Sequence, residues 1–268
     1  MPVAANPFKR ALAAGRTQIG LWQALGSAVT AEVCAAAGFD WLLFDGEHGP
    51  NDVPRLAEQL RAVAPFPAHP VGRPPLGEVR LIKQYLDIGF QTLVIPLVET
   101  SAQAEQLVRA CRYPPQGIRG VGGGLVRASG YGRMSDYLDS ADDEICLVVQ
   151  VETRAGLDNL DAIAATTGVD GVFVGPADLA AALGHRGRPG AAPVQAAIED
   201  AFVRIRRAGK PAGTLCADAA LVARYQTLGC SFIAVGTDVS LLAHGGDALA
   251  ARYGRGNTGG SGGSGNAY

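Results

Sequence analysis

The chain has 268 residues, of which 48% are hydrophobic and 18% are charged, and its formal net charge is −2. This length and apolar content suffice for one large core. Together with the near-neutral charge they exclude a mainly disordered chain and a strongly basic nucleic-acid-binding surface. The apolar runs have strand length and fall well short of the roughly 20 residues that a membrane-spanning helix needs.

The amino-terminal segment lacks the apolar core of a secretory signal peptide. The five cysteines are odd in number and scattered, most of them lie in apolar segments, and the sequence has no Cys-X-X-Cys pair. These features predict reduced, buried thiols in a cytoplasmic protein and argue against a zinc-ribbon or thioredoxin-type site.

A repeated unit organises the chain: an amphipathic helix, a glycine, a short apolar strand and then polar residues. Gly38, Gly89, Gly168 and Gly229 follow the helices of four such units. This placement is expected for a helix end that needs positive φ. The strands show no alternation of apolar and polar residues, which is typical of parallel strands that are buried on both faces.

The order of the elements predicts the fold class. Eight strand–helix units indicate a single α/β domain, a (β/α)8 barrel over residues 1–253, with a doubly wound parallel sheet as the alternative. The strands are predicted over Gln18–Leu25, Trp41–Phe44, Pro70–Arg73, Thr92–Pro96, Ile145–Val151, Gly171–Val174, Pro211–Leu215 and Phe232–Val235. The helices are predicted over Ala28–Ala37, Val53–Ala64, Gly77–Ile88, Ala102–Cys111, Ala155–Ala165, Val194–Ala208, Ala219–Leu228 and Val239–Arg252, preceded by an extra helix over Phe8–Ala13.

Two regions depart from this repeated order of strands and helices. Arg112–Asp143 is a long glycine-rich insertion between the fourth and fifth units, and loops of this length usually serve function or oligomer formation. Its run Gly117–Gly124 lacks the spacing and the Gly-Lys-Ser/Thr ending of a phosphate-binding loop, so an irregular loop is the favoured interpretation. Residues 254–268, rich in glycine and serine, are predicted to form a flexible tail outside the fold.

Active sites of such barrels lie at the C-terminal ends of the strands, where this sequence places mainly acidic residues. Glu152 and Asp178 follow neighbouring strands, and such an oxygen-donor pair suits Mg²⁺ or Mn²⁺. The alternative is that both carboxylates only favour the N-termini of the helices that follow, and the sequence does not decide between the two. Gln150 precedes Glu152 by two residues, so both side chains are predicted to share one face.

His48 is a candidate general acid or base because the ordinary pKa of histidine lies near neutral pH, and Asp45 is placed to orient its imidazole. A merely polar loop residue is the alternative. Arg73 ends the third strand, where its guanidinium could bind a carboxylate or an enolate oxygen, or form only a salt bridge at the rim. His69 precedes the same strand and belongs at the opposite end.

The distribution of lysines limits the catalytic mechanisms that the sequence allows. The chain has only Lys9, Lys83 and Lys210, and none of them follows a strand into the predicted site. Schiff-base chemistry is therefore disfavoured, which leaves a metal ion as the available electrophile.

Six segments carry long motifs: Gly20–Trp22, Gly38–Asn51, Val71–Pro74, Arg112–Gly120, Val149–Thr153 and Val172–Leu179. Together they resemble the metal-dependent class II pyruvate aldolases, the family of 4-hydroxy-2-oxoheptanedioate aldolase and 2-dehydro-3-deoxyglucarate aldolase. The resemblance extends to about Arg252. It implies a (β/α)8 barrel that binds a divalent metal cation (Mg²⁺, Mn²⁺ or Co²⁺) and cleaves 4-hydroxy-2-oxo acids to pyruvate and an aldehyde.

The resemblance also implies roles for individual residues. Glu152 and Asp178 would hold the metal, and Arg73 would bind the pyruvate oxygens and stabilise the enolate. His48, with Asp45 beside it, would act in acid–base catalysis. The other positions implied to contact the ligand are Gln150, as a hydrogen-bonding residue, and the pocket residues Trp22, Gly175, Ala177 and Leu215.

The same resemblance implies a homohexamer, a trimer of dimers, in which the C-terminal helix packs on a neighbouring subunit. Hydroxypyruvate is a second donor that this chemistry allows, because the metal needs only the 2-oxo acid unit. The chain departs from the family at Gly122–Leu125, which is rich in glycine where relatives carry larger side chains. This loop lies where the aldehyde would be selected, so the resemblance does not identify the native aldehyde. A coenzyme A thioester lyase of the same superfamily and a non-catalytic binding barrel remain as alternative functions.

Overall fold

The predicted strands close into one parallel barrel in the computed structural model, which describes residues 3–253. Each strand pairs with the next in chain order, and the last pairs with the first. The (β/α)8 prediction is therefore confirmed, and the doubly wound alternative is wrong. The strands are β1 (Gln18–Gln23), β2 (Trp41–Asp45), β3 (His69–Arg73), β4 (Thr92–Ile95), β5 (Cys146–Val151), β6 (Gly171–Val174), β7 (Ala212–Leu215) and β8 (Cys230–Thr237).

Twelve α-helices lie between residues 3 and 253: α1 (Pro7–Ala13), α2 (Ala28–Ala35), α3 (Val53–Val63), α4 (Val79–Ile88), α5 (Ser101–Cys111), α6 (Tyr137–Ser140), α7 (Arg154–Asp158), α8 (Leu160–Ala165), α9 (Pro176–Ala182), α10 (Ala192–Arg207), α11 (Ala219–Thr227) and α12 (Asp238–Tyr253). The helix predicted over Ala155–Ala165 is divided at Asn159, whose backbone leaves the helical region (φ −94°, ψ 5°). The short helices α6 and α9 have no counterpart in the prediction. None of the helices in this part of the chain is long and apolar enough to cross a membrane.

The glycines expected at helix ends behave as predicted. Gly38, Gly89, Gly168 and Gly229 have φ values of 92°, 112°, 93° and 86°. A residue with a Cβ atom enters this region only at a cost, so glycine allows each helix to stop and the chain to turn into the next strand. The predicted tail, residues 254–268, lies outside the described residues.

Helix α1 closes the N-terminal end of the barrel. Its Phe8 ring stacks on His69, the first residue of β3, with 5.8 Å between ring centroids, and it also contacts Trp41 and Phe232. His69 thus lies at the end opposite the strand exits, as predicted, and burial lowers its pKa to about 4. The interior above this layer is filled by apolar side chains, which leaves the C-terminal ends of the strands for a site.

The insertion before β5 is anchored by one buried cation. Arg119 is fully buried, and its Nη2 lies 2.9 Å from Asp87 Oδ1. Its guanidinium lies 4.4 Å above the Tyr113 ring. Val121 and Leu125, farther along the insertion, are exposed. The insertion is therefore held to the barrel through Arg119 while it presents apolar side chains outwards.

Candidate active site

The C-terminal strand ends surround a cavity of about 210 Å³. Every position singled out as a site residue in the sequence lines it: Trp22, Asp45, His48, Arg73, Gln150, Glu152, Gly175, Ala177, Asp178 and Leu215. Phe173, Pro176 and Thr237, which the sequence did not single out, complete the lining, and no lysine of residues 3–253 contributes to it. A larger hollow of about 480 Å³ next to Lys9 lies beneath the insertion, away from these convergent charges.

Arg73 and Asp45 form the rigid centre of the cavity. They are register partners at the ends of β3 and β2. Arg73 Nε and Nη2 donate to Asp45 Oδ1 and Oδ2 at 3.0 and 2.6 Å. Burial alone would raise the pKa of Asp45, but the hydrogen bonds and charge of Arg73 outweigh it and lower that pKa. The pair is buried rather than exposed at the rim, so Asp45 fixes the guanidinium in one orientation.

Trp22 supports the same pair from β1. Its indole Nε1 donates to Asp45 Oδ2 at 3.0 Å, and its ring centroid lies 4.7 Å from Arg73 Cζ. The ring also packs on Phe173, with centroids 5.6 Å apart. Trp22 therefore covers one face of the guanidinium with an aromatic surface, a favourable place for a cation.

The loop after β2 carries His48, which Asp45 holds by its backbone. Asp45 Oδ1 accepts hydrogen bonds from the backbone N–H groups of Glu47 and His48 at 2.9 and 3.2 Å. The His48 side chain is 66% exposed, and its Nε2 lies 4.0 Å from Glu47 Oε2. Asp45 thus positions the chain at His48, and its carboxylate does not orient the ring directly as the sequence had suggested.

Glu152 is almost completely buried, at 2% exposure. Its Oε1 accepts the Leu97 N–H at 3.0 Å, and its Oε2 accepts a hydrogen bond from Gln150 Nε2. Leu97 has a positive φ of 56°, and this backbone turn aims its N–H at the carboxylate. The N-cap of α7 is Thr153 and not Glu152, so helix capping does not account for Glu152.

Asp178 also lines the cavity, from the first turn of α9. Burial raises the pKa of Glu152, and the charges of Asp178 and Glu47 raise it further. A cation beside Glu152 would oppose this rise and favour the ionised carboxylate. Within residues 3–253, no cluster of three or more His, Cys, Asp or Glu side chains could hold a metal ion. The two carboxylates fit a hard cation such as Mg²⁺, which keeps water or substrate oxygens in its remaining positions.

Replacing Gly175 with alanine is expected to displace the Glu152 carboxylate. A Cβ at Gly175 would lie 2.9 Å from Glu152 Cβ and 3.1 Å from Gln150 Nε2, and it would overlap Glu152 Oε2. Because Glu152 is buried, we expect Mn²⁺ affinity, measured by titration calorimetry, to fall about tenfold. The control is Gly190→Ala, since a Cβ at Gly190 meets nothing within 4 Å. An equal loss in both variants would contradict a local effect at Glu152.

Comparison with known proteins decides the family. The family model for HpcH/HpaI aldolase/citrate lyase proteins matches residues 18–245. The chain belongs to this family. The family resemblance seen in the motifs is thereby confirmed, and the match spans the whole barrel from β1 into α12.

Relatives of the chain cover nearly its full length. A hydroxypyruvate/pyruvate aldolase of Pseudomonas aeruginosa is 59% identical over 253 residues, or 94% of each chain. A 4-hydroxy-2-oxo-heptane-1,7-dioate aldolase of Klebsiella pneumoniae is 56% identical over 248 residues, covering 92% of this chain and 94% of the relative. The crystal structure of a family member from Burkholderia cenocepacia J2315 superposes with a TM-score of 0.89 at 41% identity, covering 92% of this chain and 99% of that one.

Proposed function

We propose that this protein is a divalent-metal-dependent aldolase that reversibly cleaves 4-hydroxy-2-oxo acids to pyruvate, or to the related hydroxypyruvate, and an aldehyde. The observation that carries the proposal is the convergence of Glu152, Asp178 and Arg73 on one cavity. A 2-oxo acid offers neighbouring carboxylate and carbonyl oxygens, which suit a hard cation and a guanidinium together. The names of the two relatives described above support this substrate class.

Gln150, near the end of β5, and Glu152, directly after it, prepare the metal and ligand positions. A divalent cation (Mg²⁺, Mn²⁺ or Co²⁺) held by Glu152 and Asp178 would act as a Lewis acid on the 2-oxo acid. Gln150 fixes Glu152 through its amide nitrogen. The Gln150 amide oxygen is buried and has no hydrogen-bond partner in the described residues, so it is free to accept a hydrogen bond from a ligand hydroxyl.

Arg73 is prepared to receive the charge that forms in the reaction. Breaking the C3–C4 bond of the substrate leaves an enolate oxygen on the pyruvate half. Asp45 occupies Nε and one hydrogen of Nη2 of the guanidinium, and it leaves the Nη1 hydrogens and the second Nη2 hydrogen without a directed hydrogen bond to its carboxylate. Fixed donors that face developing charge stabilise a transition state without reorganising.

His48 is suited to proton transfer at the aldehyde half. Its imidazole lines the cavity and is also exposed to solvent, so it can take the proton of the C4 hydroxyl and release it to water. The hydrogen bond from the His48 backbone N–H to Asp45 Oδ1 keeps the backbone of His48 in place. Ala177, Leu215 and the Trp22 ring would form the apolar walls around the substrate.

We further propose that the protein acts as a cytoplasmic homohexamer, a trimer of dimers, with α12 packed on a neighbouring subunit. Leu241, Leu242 and Leu249 of α12 are 58%, 69% and 61% exposed, and a neighbouring copy would cover this apolar surface. The cysteines of the described residues are free thiols, which suits a reducing compartment.

Pyruvate release from a 4-hydroxy-2-oxo acid tests the activity. We expect the Mn²⁺-loaded protein to release pyruvate, a chelator to abolish release, and added Mn²⁺ to restore it. A thioester lyase would instead act only on a coenzyme A substrate, and a non-catalytic barrel would release nothing. Release that persists unchanged after complete metal removal would contradict the metal-dependent mechanism.

A further inference from the structure

Glu47 is a largely buried carboxylate beside Arg73 that the proposed chemistry does not use. Its Oε2 lies 2.8 Å from Arg73 Nη1, and its side chain is 16% exposed. The contact is an ion pair without hydrogen-bond geometry, because Oε2 is buried and has no hydrogen-bond partner in the described part of the chain. Glu47 is therefore held at Arg73 by charge and not by a directed bond.

The two carboxylates at Arg73 are held very differently. Asp45 is 2% exposed at its side chain and accepts hydrogen bonds from the guanidinium, the Trp22 indole and two backbone N–H groups. Glu47 lies in the loop after β2, and burial raises its pKa even though Arg73 opposes this. Asp45 is thus a permanent partner of the guanidinium, whereas Glu47 can leave it without breaking a directed hydrogen bond.

We infer that Glu47 is a displaceable counter-ion, which occupies the outer edge of Arg73 until an anionic 2-oxo acid takes its place. The inference rests on the proposed function. Nη1 is the guanidinium nitrogen that Asp45 leaves free, and Glu47 lies on it. A substrate carboxylate or enolate oxygen needs the same edge, and two like charges do not share it. Glu47 therefore sets the affinity for the 2-oxo acid.

This role predicts an unusual direction for a mutation in a binding site. Glu47→Gln keeps the size of the side chain and removes the competing charge, so we expect the Kd for pyruvate to fall about five-fold, which corresponds to about 1 kcal/mol. If Glu47 instead served to hold Arg73 in place, the same change would loosen the guanidinium, and pyruvate would bind more weakly.

Tryptophan fluorescence measures this binding without turnover. The chain has two tryptophans: Trp22 lies on the Arg73 guanidinium, and Trp41 lies near the closed end of the barrel. The Mg²⁺-loaded wild type and Glu47→Gln are titrated with pyruvate. The charge-matched control is Glu78→Gln, in the loop after β3, because Glu78 pairs with Arg80 at 3.5 Å and makes no side-chain cap. We expect the Kd of the control to equal that of the wild type.

A Glu47→Gln protein with an unchanged melting temperature and an equal or higher Kd would overturn the inference. Should this variant fail to fold, Glu47→Asp decides, because the shorter side chain keeps the charge but withdraws it from Nη1; unchanged or weaker pyruvate binding would then overturn the inference. A wild type that binds pyruvate but cleaves no 4-hydroxy-2-oxo acid would refute the proposed function. The Kd values of the wild type and the variants would then still test the role of Glu47 in pyruvate binding. A wild type that binds no pyruvate would refute both.

Discussion

Replacing Arg73 with lysine is expected to lower kcat for aldol cleavage by about 10²- to 10³-fold, the usual cost of losing one donor to a developing oxyanion. Lysine keeps the positive charge beside Asp45, but its single ammonium group cannot bind both Asp45 oxygens and also present a donor pair to the enolate. Steady-state kinetics of pyruvate release at saturating Mn²⁺ would measure the loss.

The matched control for this change is Arg80→Lys. Arg80 is 70% exposed at its side chain and pairs with Glu78 on the surface, so we expect its kcat to stay within about two-fold of the wild type. Arg73→Ala is less informative, because it would leave Asp45 buried without its cation and destabilise the fold by about 3–5 kcal/mol. If the Arg73→Lys enzyme kept nearly full kcat, the guanidinium would not be needed to stabilise the enolate.

Glu152→Gln is expected to weaken Mn²⁺ binding by about 100-fold or more. Loss of a residue that only supports a metal ligand typically costs 10- to 100-fold in affinity, and the loss of a ligand itself should cost at least as much. The substitution also replaces the acceptor of the Gln150 hydrogen bond with an amide. Titration calorimetry with Mn²⁺ measures the affinity directly, and pyruvate release should fall in parallel when the metal is limiting.

Glu99→Gln is the control for the lost charge. Glu99 also follows a barrel strand, but its carboxylate accepts a hydrogen bond from Thr153 Oγ1 at 2.7 Å, which a glutamine can retain. We expect this variant to bind Mn²⁺ like the wild type. Wild-type Mn²⁺ affinity in Glu152→Gln would show that Glu152 is not a ligand, and the donor set proposed here would fail.

The fold was predictable because most of its strands are short apolar runs buried on both faces, and four of them follow a glycine that ends a helix. Helix α9 was not, because Pro176–Ala182 follows β6 directly and is too short to show helical periodicity. A helix start at Asp178 was therefore only an alternative interpretation, and the bounds of the helix were not predicted. The break at Asn159 in the helix after β5 was also not predictable, since asparagine occurs both within helices and at their ends.

The residues that line the cavity were predictable, but their contacts were not. Each of these residues lies in the last part of a strand or shortly after it, and the C-terminal ends of all strands of a barrel meet at one rim, so the residues were expected to lie close together. Sequence spacing suggested that Asp45 would orient His48, whereas the local turn directs Asp45 Oδ1 to backbone N–H groups. The contact of Glu47 with Arg73 depends on the register between β2 and β3, which spacing along one chain does not reveal.

The helix across the N-terminal end of the barrel bears on the order of product release. With Phe8 and Leu12 blocking that end, molecules enter and leave the cavity past its C-terminal mouth. Arg73 is 5% exposed, whereas the His48 side chain is 66% exposed, so the guanidinium lies deeper than the imidazole. In the proposed reaction the aldehyde half consequently covers the 2-oxo acid half. We therefore expect the aldehyde of the proposed reaction to depart first and, in synthesis, the 2-oxo acid to bind before its acceptor.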